Sequence, residues 1–211
     1  MKTIDELTKK AVELQASGLL PGQIADELNV SRETASWLLL HSKKEEKGEA
    51  APAPKDIYVD WSNIGRSSYR QRLMASTMTD LILESLGNTG QHVDVVIGVA
   101  LSGIPLASLI GEELGCEFST YHPNKQKWEN ESKETKGTIS QNFANVKGKN
   151  CVLVDDVVTS GSTLKEAVAM LEELGAHPVS IAVIIDKKGM EDVSGVPLNA
   201  LLRVTRVDRV E

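Results

Sequence analysis

The chain has 211 residues, of which 41% are hydrophobic and 25% are charged, and its formal net charge at pH 7 is −7. This length accommodates one α/β core of ordinary size and a small second domain. The acidic balance argues against a protein that coats nucleic acid along its whole surface, although a small site on an acidic protein can still bind DNA.

The sequence lacks the signals of secretion and of membrane insertion. It contains no run of eighteen apolar residues, and its N-terminus carries acidic residues within an amphipathic pattern instead of a signal peptide. The two cysteines, Cys116 and Cys151, have no spacing that suits a metal site or a disulfide framework. We therefore expect a cytoplasmic protein with no membrane partner.

The N-terminal segment is predicted to form three helices. Apolar residues recur at helical spacing over residues 4–14. Pro21 suits the first turn of a second helix, Asn29 tolerates a left-handed turn, and Ser31 is a good N-cap for a third helix. This pattern predicts a helix-turn-helix domain over residues 1–42.

The third helix of such a domain presents the side chains that would read DNA bases. The run IADELNVSRETA is similar to transcription-factor helix-turn-helix sequences. The candidate DNA-binding residues, which we expect to face outward, are Arg32, Glu33, Thr34 and Ser36. The alternative is a three-helix dimerisation or protein-docking module, because the region up to Lys47 holds seven Lys or Arg against eight Asp or Glu and so lacks a basic footprint.

A linker and a larger domain follow. Residues 43–56 are rich in Lys, Glu, Ala and Pro, which indicates a semi-rigid linker. Over residues 57–211, strand-like and helix-like runs alternate, which predicts an α/β domain with a mostly parallel sheet flanked by helices. Strands are expected at 57–62, 93–100, 117–121, 151–154, 179–185 and 201–207. Helices are expected at 66–86 and 164–174, and a further helix is expected to open within 101–107.

The most informative stretch of the larger domain is 151–163, which reads as a buried strand, two carboxylates, a loop of small residues and the start of a helix. Open α/β sheets bind ligands at such strand ends. The loop hydroxyls, Gly161 and the first helical amides suit a phosphate monoester, whereas Asp155 and Asp156 repel phosphate but accept hydrogen bonds from ribose hydroxyls. The sequence thus predicts a ribose 5-phosphate ligand. The alternative is an ordinary βα turn with an acidic N-cap.

The run VLVDDVVTSGST resembles the phosphoribosyl-diphosphate (PRPP) motif of type I phosphoribosyltransferases. The resemblance implies the fold of that family and Mg²⁺ that arrives with PRPP, held mainly by diphosphate and water and not by a protein metal site. It implies that Asp155 and Asp156 bind the ribose 2′- and 3′-hydroxyls. It assigns the 5′-phosphate to Thr159, Ser160, Gly161, Ser162 and Thr163, and the pyrophosphate to the loop of Leu101, Ser102 and Gly103.

The sequence departs from the orotate enzymes of this family at two places. Those enzymes close a lysine-bearing loop over the leaving pyrophosphate, and their usual loop signature is not clean here. The candidate catalytic residues are Lys125 and Lys127, with Lys133 and Lys136 as alternatives. The orotate enzymes also follow a core strand with Asp-Arg, where the Arg binds the base carboxylate. Here the pair is Asp186-Lys187, so Lys187 is the base-binding candidate and lacks the planar fork of Arg.

The two parts together resemble archaeal transcriptional regulators of the GfcR type. The resemblance implies a DNA-binding regulator whose phosphoribosyltransferase-like domain binds PRPP or a nucleotide as effector. That domain would also form the homodimer that reads a palindromic operator. The alternative is a working phosphoribosyltransferase, which would convert orotate and PRPP to orotidine 5′-phosphate and diphosphate, with the N-terminal domain as an accessory.

Overall fold

The computed structural model describes residues 3–44, 56–87, 90–123 and 137–205, and the chain divides into two compact units, Met1–Asp60 and Trp61–Glu211. Within the described ranges, no helix is long and apolar enough to cross a membrane. The first unit contains the helices α1 (Ile4–Ala16), α2 (Pro21–Leu28) and α3 (Arg32–Lys44). Their apolar stripes form one buried cluster that includes Leu7, Ala11, Ile24, Leu28, Ala35 and Leu38.

The helix boundaries of the first unit follow from local chemistry. α1 begins with a capping box in which the Thr3 hydroxyl accepts from the Glu6 amide and the Glu6 carboxylate accepts from the Thr3 amide. α2 ends at Asn29 in the left-handed conformation, with φ 54° and ψ 40°. The Ser31 hydroxyl accepts from the Thr34 amide at 3.1 Å, so the predicted turn residue and the predicted N-cap are both confirmed.

The second unit is a seven-stranded sheet flanked by helices, with strand order β3-β2-β1-β4-β5-β7-β6. Its five central strands are parallel, and the two edge strands, β3 and β6, are antiparallel to their neighbours. The strands are β1 (Val95–Val99), β2 (Glu117–His122), β3 (Thr138–Ile139), β4 (Asn150–Val158), β5 (His177–Asp186), β6 (Asp192–Val193) and β7 (Val196–Arg203). The helices are α4 (Ser62–Gly65), α5 (Ser68–Gly87), α6 (Gly103–Leu114) and α7 (Ser162–Glu173).

Helices cover the central strands, which explains why those strands are continuous apolar runs. Every residue of β1 is buried. α7 packs its buried side chains against residues of β1, β4 and β5 in one cluster, whose members include Leu164, Ala167, Leu171, Ile97, Leu153 and Ile181. α5 and α6 pack against each other and against the sheet. The carboxyl ends of β1 and β4 therefore lie side by side in a covered sheet.

Four features of the larger unit differ from the sequence prediction. The last strand, β7, begins at Val196, five residues before its predicted start. No strand forms at 57–62, where residues 57–61 are irregular and α4 begins at Ser62. β4 continues to Val158 because it stays paired with β5, so Asp155 and Asp156 belong to the strand and not to the loop after it. The edge strands β3 and β6 were not predicted, because two residues are too few to show an alternating pattern.

Two glycines let the start of α6 lie directly on the ends of the central strands. A Cβ on Gly98 would stand 2.6 Å from the Cα of Ile104, and a Cβ on Gly103 would stand 3.0 Å from the Cα of Asp155 and closer still to the Val154 carbonyl oxygen. Both obstacles are backbone atoms, which cannot move aside as a flexible side chain can. Gly103 thus fixes the loop before α6 against the peptide that carries Asp155.

We expect Gly103→Ala to destabilise the fold by about 1–3 kcal/mol, because the added methyl group overpacks a backbone contact. Gly111→Ala in the same helix is the matched control: its Cβ would meet its nearest neighbours at an ordinary 3.8 Å, so the gain in helix propensity should stabilise it slightly. Thermal unfolding of the two variants checks the difference. Equal melting temperatures would contradict the close-approach argument.

Candidate functional site

Two carboxylates at the end of β4 form the centre of the site. Asp155 and Asp156 are neighbours in β4, and the Asp155 side chain is hydrogen-bonded to the Asp156 carboxyl group. Asp155 is half-buried, and Asp156 is only 7% exposed. The Asp156 amide donates to the Asp155 carboxylate at 2.9 Å, which ties the orientation of the first carboxylate to the backbone of the second.

Asp156 is a buried acid held by a small set of donors. Burial raises the pKa of its carboxyl group above the usual value, while hydrogen bonds from the Val157 amide and from the Trp61 side chain act in the opposite direction. The indole N–H can only donate, so Trp61 favours the carboxylate form. The site therefore presents an acceptor that is costly to keep charged and that gains from additional donors such as hydroxyl groups.

The loop after β4 brings several hydroxyl groups to the start of α7. Gly161, with φ 75° and ψ 1°, is the N-cap of α7, and this left-handed conformation favours glycine. The Ser160 hydroxyl lies 3.0 Å from the Ser162 hydroxyl and accepts from the Ser162 amide at 3.3 Å, and both serines are exposed. Thr159 and Thr163 are half-buried. Hydroxyls and first-turn amides thus gather at the positive end of a twelve-residue helix.

The second predicted loop lies beside the first. Leu101, Ser102 and Gly103 follow β1, which pairs in parallel with β4. Gly103 packs on the Val154–Asp155 peptide, whereas the Leu101 side chain is 69% exposed. The structure therefore brings the loop predicted for pyrophosphate and the carboxylates predicted for ribose together at the carboxyl ends of β1 and β4.

A third loop, 187–190, closes the same edge and is organised by Asp186. The Asp186 carboxylate is fully buried and accepts from the amides of Lys188, Gly189 and Met190 at 2.7–2.9 Å, with the Arg203 guanidinium 4.0 Å away. The Lys187 amide donates to the Val158 carbonyl at 3.0 Å. The base-binding candidate Lys187 therefore begins a loop whose backbone is fixed beside the end of β4.

Met190 joins this third loop to the phosphate-binding turn. Its sulfur would lie 2.9 Å from a Cβ placed on Gly161. The role of Asp186 was not predicted from the sequence, although an acid followed by Lys-Lys-Gly is a signal for a side chain that accepts hydrogen bonds from the amides of the next turn. The candidate catalytic residues Lys125 and Lys127, with Lys133 and Lys136, lie outside the described residues.

The N-terminus of α3 is the other candidate site. Arg32, Glu33 and Ser36 are exposed, as predicted. The prediction that Thr34 faces outward is wrong: it is 8% exposed, and its hydroxyl lies 2.8 Å from the Ser31 hydroxyl and donates to the Asp56 carboxylate at 2.8 Å. Thr34 therefore stabilises the start of the helix.

Asp56 completes the cap of α3 from a distance in sequence. Its carboxylate accepts from the Ser31 amide at 2.7 Å, a bond that in a capping box comes from a Glu three residues after the cap. Here Thr34 occupies that position and has no carboxylate. The sequence signal was available, because a capping box without its acid leaves the N-cap amide in need of another acceptor.

The chain is similar to known transcriptional regulators, and its larger unit is similar to phosphoribosyltransferases. A family model described as a phosphoribosyl transferase domain matches residues 66–195. The transcriptional regulator GfcR 1 of Methanosarcina barkeri is 54% identical over 208 residues, which cover 99% of this chain and 100% of that protein. The transcriptional regulator GfcR of Methanosarcina mazei is 53% identical with the same coverage.

Solved structures agree on the fold of the larger unit. An adenine phosphoribosyltransferase superposes with a TM-score of 0.57 at 18% identity, covering 71% of this chain and 89% of its own. The orotate phosphoribosyltransferase of Mycobacterium tuberculosis, bound to inorganic phosphate, gives 0.53 at 19% identity, covering 71% and 81%. The predicted type I phosphoribosyltransferase fold with a helical N-terminal part is confirmed.

We expect Asp156→Asn to raise the melting temperature at pH 7. A carboxyl group whose pKa is higher in the folded chain than in the unfolded chain favours folding below the unfolded pKa, and that contribution is lost as pH rises through the folded pKa. The amide removes this cost, so stability should increase and depend less on pH. About 1 kcal/mol corresponds to a shift of roughly 2–4 °C.

Thermal unfolding between pH 4.5 and 8 measures this effect. Asp192→Asn is the matched control, because Asp192 is exposed at the start of β6 and its neutralisation relieves no burial, so the melting temperature should not rise. A variant Asp156→Asn that is less stable than the wild type at pH 7 would mean that the donors around this carboxylate outweigh its desolvation.

Proposed function

We propose a function for this chain from the fact that it belongs to the GfcR family of transcriptional regulators and carries a phosphoribosyl transferase domain. It binds PRPP or a related nucleotide as an effector, and it binds DNA through α3. The effector proposal is supported by three parts of the structure that lie together at the carboxyl ends of the central strands. These are the carboxylates of β4, the Gly161 loop and the Gly103 loop. In PRPP the ribose lies between a 5′-phosphate and a diphosphate, so the order of its chemical groups matches the order of these three parts of the protein.

The charges of this edge favour one orientation of the effector. Phosphate oxygens belong at the start of α7, where amides and hydroxyls of the Ser160–Ser162 turn collect. The ribose hydroxyls belong at Asp155 and Asp156, where a phosphate would be repelled. The diphosphate then extends toward Leu101, Ser102 and Gly103. In this orientation the phosphate oxygens accept hydrogen bonds from amides and hydroxyls, and the ribose hydroxyls donate hydrogen bonds to carboxylates.

Magnesium would enter with the effector. Within the described ranges, no group of three or more His, Cys, Asp or Glu side chains is arranged to hold a metal ion. Mg²⁺ commonly keeps several waters and binds through substrate phosphates with one or two carboxylates. Asp155 and Asp156 are suitable outer partners for such an ion, which would neutralise part of the diphosphate charge.

The DNA-binding part of the proposal rests on α2, α3 and the exposed residues at the start of α3. Arg32 is exposed, and its guanidinium lies 3.6 Å from the position of a Cβ on Gly22. Glu33 and Ser36 are exposed on the same helix. A homodimer would present two copies of α3 to a palindromic operator, with half-sites separated by a helical turn of DNA or a multiple of it.

PRPP binding should require both carboxylates. The double variant Asp155→Asn and Asp156→Asn should lose detectable binding, because each lost charged acceptor leaves a ribose hydroxyl poorly paired at a cost of roughly 1–3 kcal/mol. Titration calorimetry with PRPP and Mg²⁺ measures this. The matched control is Asp192→Asn, which removes one carboxylate at the exposed start of β6.

Unchanged affinity in the folded double variant would contradict the effector site. A steady-state assay of orotate with PRPP and Mg²⁺ separates the proposal from the alternative function. Turnover on the order of 1 s⁻¹ or faster, the ordinary enzyme range, would assign the chain to the working phosphoribosyltransferases.

Arg32→Ala should weaken binding to the preferred DNA duplex by about 1–3 kcal/mol if Arg32 contacts a base. The duplex can be enriched from a random-sequence pool with the wild-type chain, and affinities can be measured by fluorescence anisotropy. Lys9→Ala, which removes the same charge from an exposed position on α1, is the control for a general electrostatic effect. Equal losses in the two variants would count against base reading by Arg32.

A further inference from the structure

The candidate phosphate turn, residues 159–161, lies against the loop that follows β5, residues 187–190, called here the β5–β6 loop. Where the two begin, the Lys187 amide donates to the Val158 carbonyl at 3.0 Å, and the strands that lead into them are paired in parallel up to this level. The turn and the loop therefore leave the sheet side by side. The β4–β5 pairing fixes their starting points relative to each other.

The far ends of the turn and the loop are also in contact. A Cβ on Gly161 would lie 2.9 Å from the Met190 sulfur and 3.1 Å from its terminal methyl carbon. Met190 packs against the buried cluster between α7 and the sheet as well. Since Gly161 is the N-cap of α7, the thioether lies against the residue at which that helix begins. The turn and the loop thus touch at both ends and form a closed ring of contacts.

Asp186 holds the β5–β6 loop in the conformation that makes the second contact. Its carboxylate is fully buried, and one oxygen accepts from the amides of Lys188 and Gly189 while the other accepts from the Met190 amide at 2.7 Å. The remaining loop amide is bound to Val158. All four loop amides are therefore bound within the protein, and the position of the Met190 thioether depends on the Asp186 carboxylate.

We propose that Asp186 and Met190 are positioning residues for the 5′-phosphate of the effector. The inference rests on the proposed function and concerns only the phosphate end of the ligand. Tight binding of a phosphate requires amides and hydroxyls that converge on one point. The Met190 thioether supports Gly161 from the side of the β5–β6 loop, and Asp186 fixes Met190. The donors at the start of α7 are thereby ordered before the ligand arrives, so binding does not have to supply the cost of ordering them.

Met190→Ala separates this positioning role from a general effect on the fold, because the effector has a second anionic end. Ribose 5-phosphate is the probe for the phosphate turn, and inorganic diphosphate with Mg²⁺ is the probe for the loop 101–103. We expect the dissociation constant of ribose 5-phosphate to rise about tenfold in the variant, which corresponds to about 1.4 kcal/mol. The dissociation constant of diphosphate should change less than about twofold. Titrations followed by amide chemical shifts measure both constants and show which loop each probe binds.

Met190→Leu and Met170→Ala are the controls. Leucine keeps the volume and the apolar character of the side chain, so Met190→Leu should retain most of the affinity for ribose 5-phosphate. Met170 packs against the same buried cluster from the last turn of α7, and Met170→Ala removes the same side chain at a distance from the phosphate turn. It should lower the melting temperature and leave both dissociation constants unchanged.

Asp186→Asn tests the other positioning residue. Replacing one carboxylate oxygen by an NH₂ group sets two donors against each other at one of the loop amides, so the loop should loosen. The variant should lose affinity for ribose 5-phosphate selectively, as Met190→Ala does. The double variant should lose about as much as the weaker-binding single variant, since both changes act through the same contact.

Amide hydrogen exchange in the wild-type chain tests the ring of contacts without any substitution. Ribose 5-phosphate should slow the exchange of the Lys188, Gly189 and Met190 amides, because a turn held by the ligand also holds the loop that packs on it. Diphosphate bound at the loop 101–103 should leave these three amides unchanged.

The outcomes separate the inference from the function on which it rests. If the wild-type chain binds neither ribose 5-phosphate nor PRPP, the proposed function fails, and the inference fails with it. If it binds them, and Met190→Ala and Asp186→Asn keep the wild-type affinity for ribose 5-phosphate, the inference is overturned while the proposed function stands. Equal losses for the two probes also overturn it. Where neither variant folds, unchanged exchange of the β5–β6 loop amides on binding of ribose 5-phosphate overturns it.

Discussion

The candidate site at the end of β4 depends on direct backbone contact between the start of α6 and the ends of β1 and β4. Gly98 and Gly103 have no side chain to separate the two layers, so the loop after β1 lies on the Val154–Asp155 peptide. That contact determines the spacing between the loop and the carboxylates. A side chain at Gly103 would push the loop after β1 away from the carboxylates at the end of β4.

The same site contains two buried acids in different environments. Asp156 is buried with a raised pKa, and Asp186, also buried, is surrounded by three amides and lies near Arg203. The fully bonded Asp186 shapes a loop, whereas Asp156 remains poorly solvated and gains from hydroxyl donors. Of these two buried acids, Asp156, whose pKa is raised by burial, is the better place for a ligand.

Much of this arrangement could be predicted from sequence because it depends on local chemistry. The left-handed Asn29, the Ser31 cap, the buried β4 run and the Gly161 turn all follow from residues within a few positions of each other. The contacts of Asp56 with α3 and of Trp61 with Asp156 join residues far apart in the chain, and no periodicity reports them. The outward orientation of Thr34 was predicted wrongly for that reason. Its partner lies 22 residues away, and helical spacing alone does not show which side of the helix is covered.

The remote cap of α3 also bears on how far the first unit extends along the chain. The Ser31 amide and Asp56 are 25 residues apart, and the carboxylate that completes the cap follows the last residue of α3 by twelve positions. A fragment cut after the third helix would keep every helix of the first unit and still lose this acceptor. During synthesis, likewise, the start of α3 reaches its final hydrogen bonding only after Asp56 has left the ribosome. The smallest fragment that preserves α3 as it stands here therefore extends beyond the Pro/Ala-rich stretch and includes Asp56.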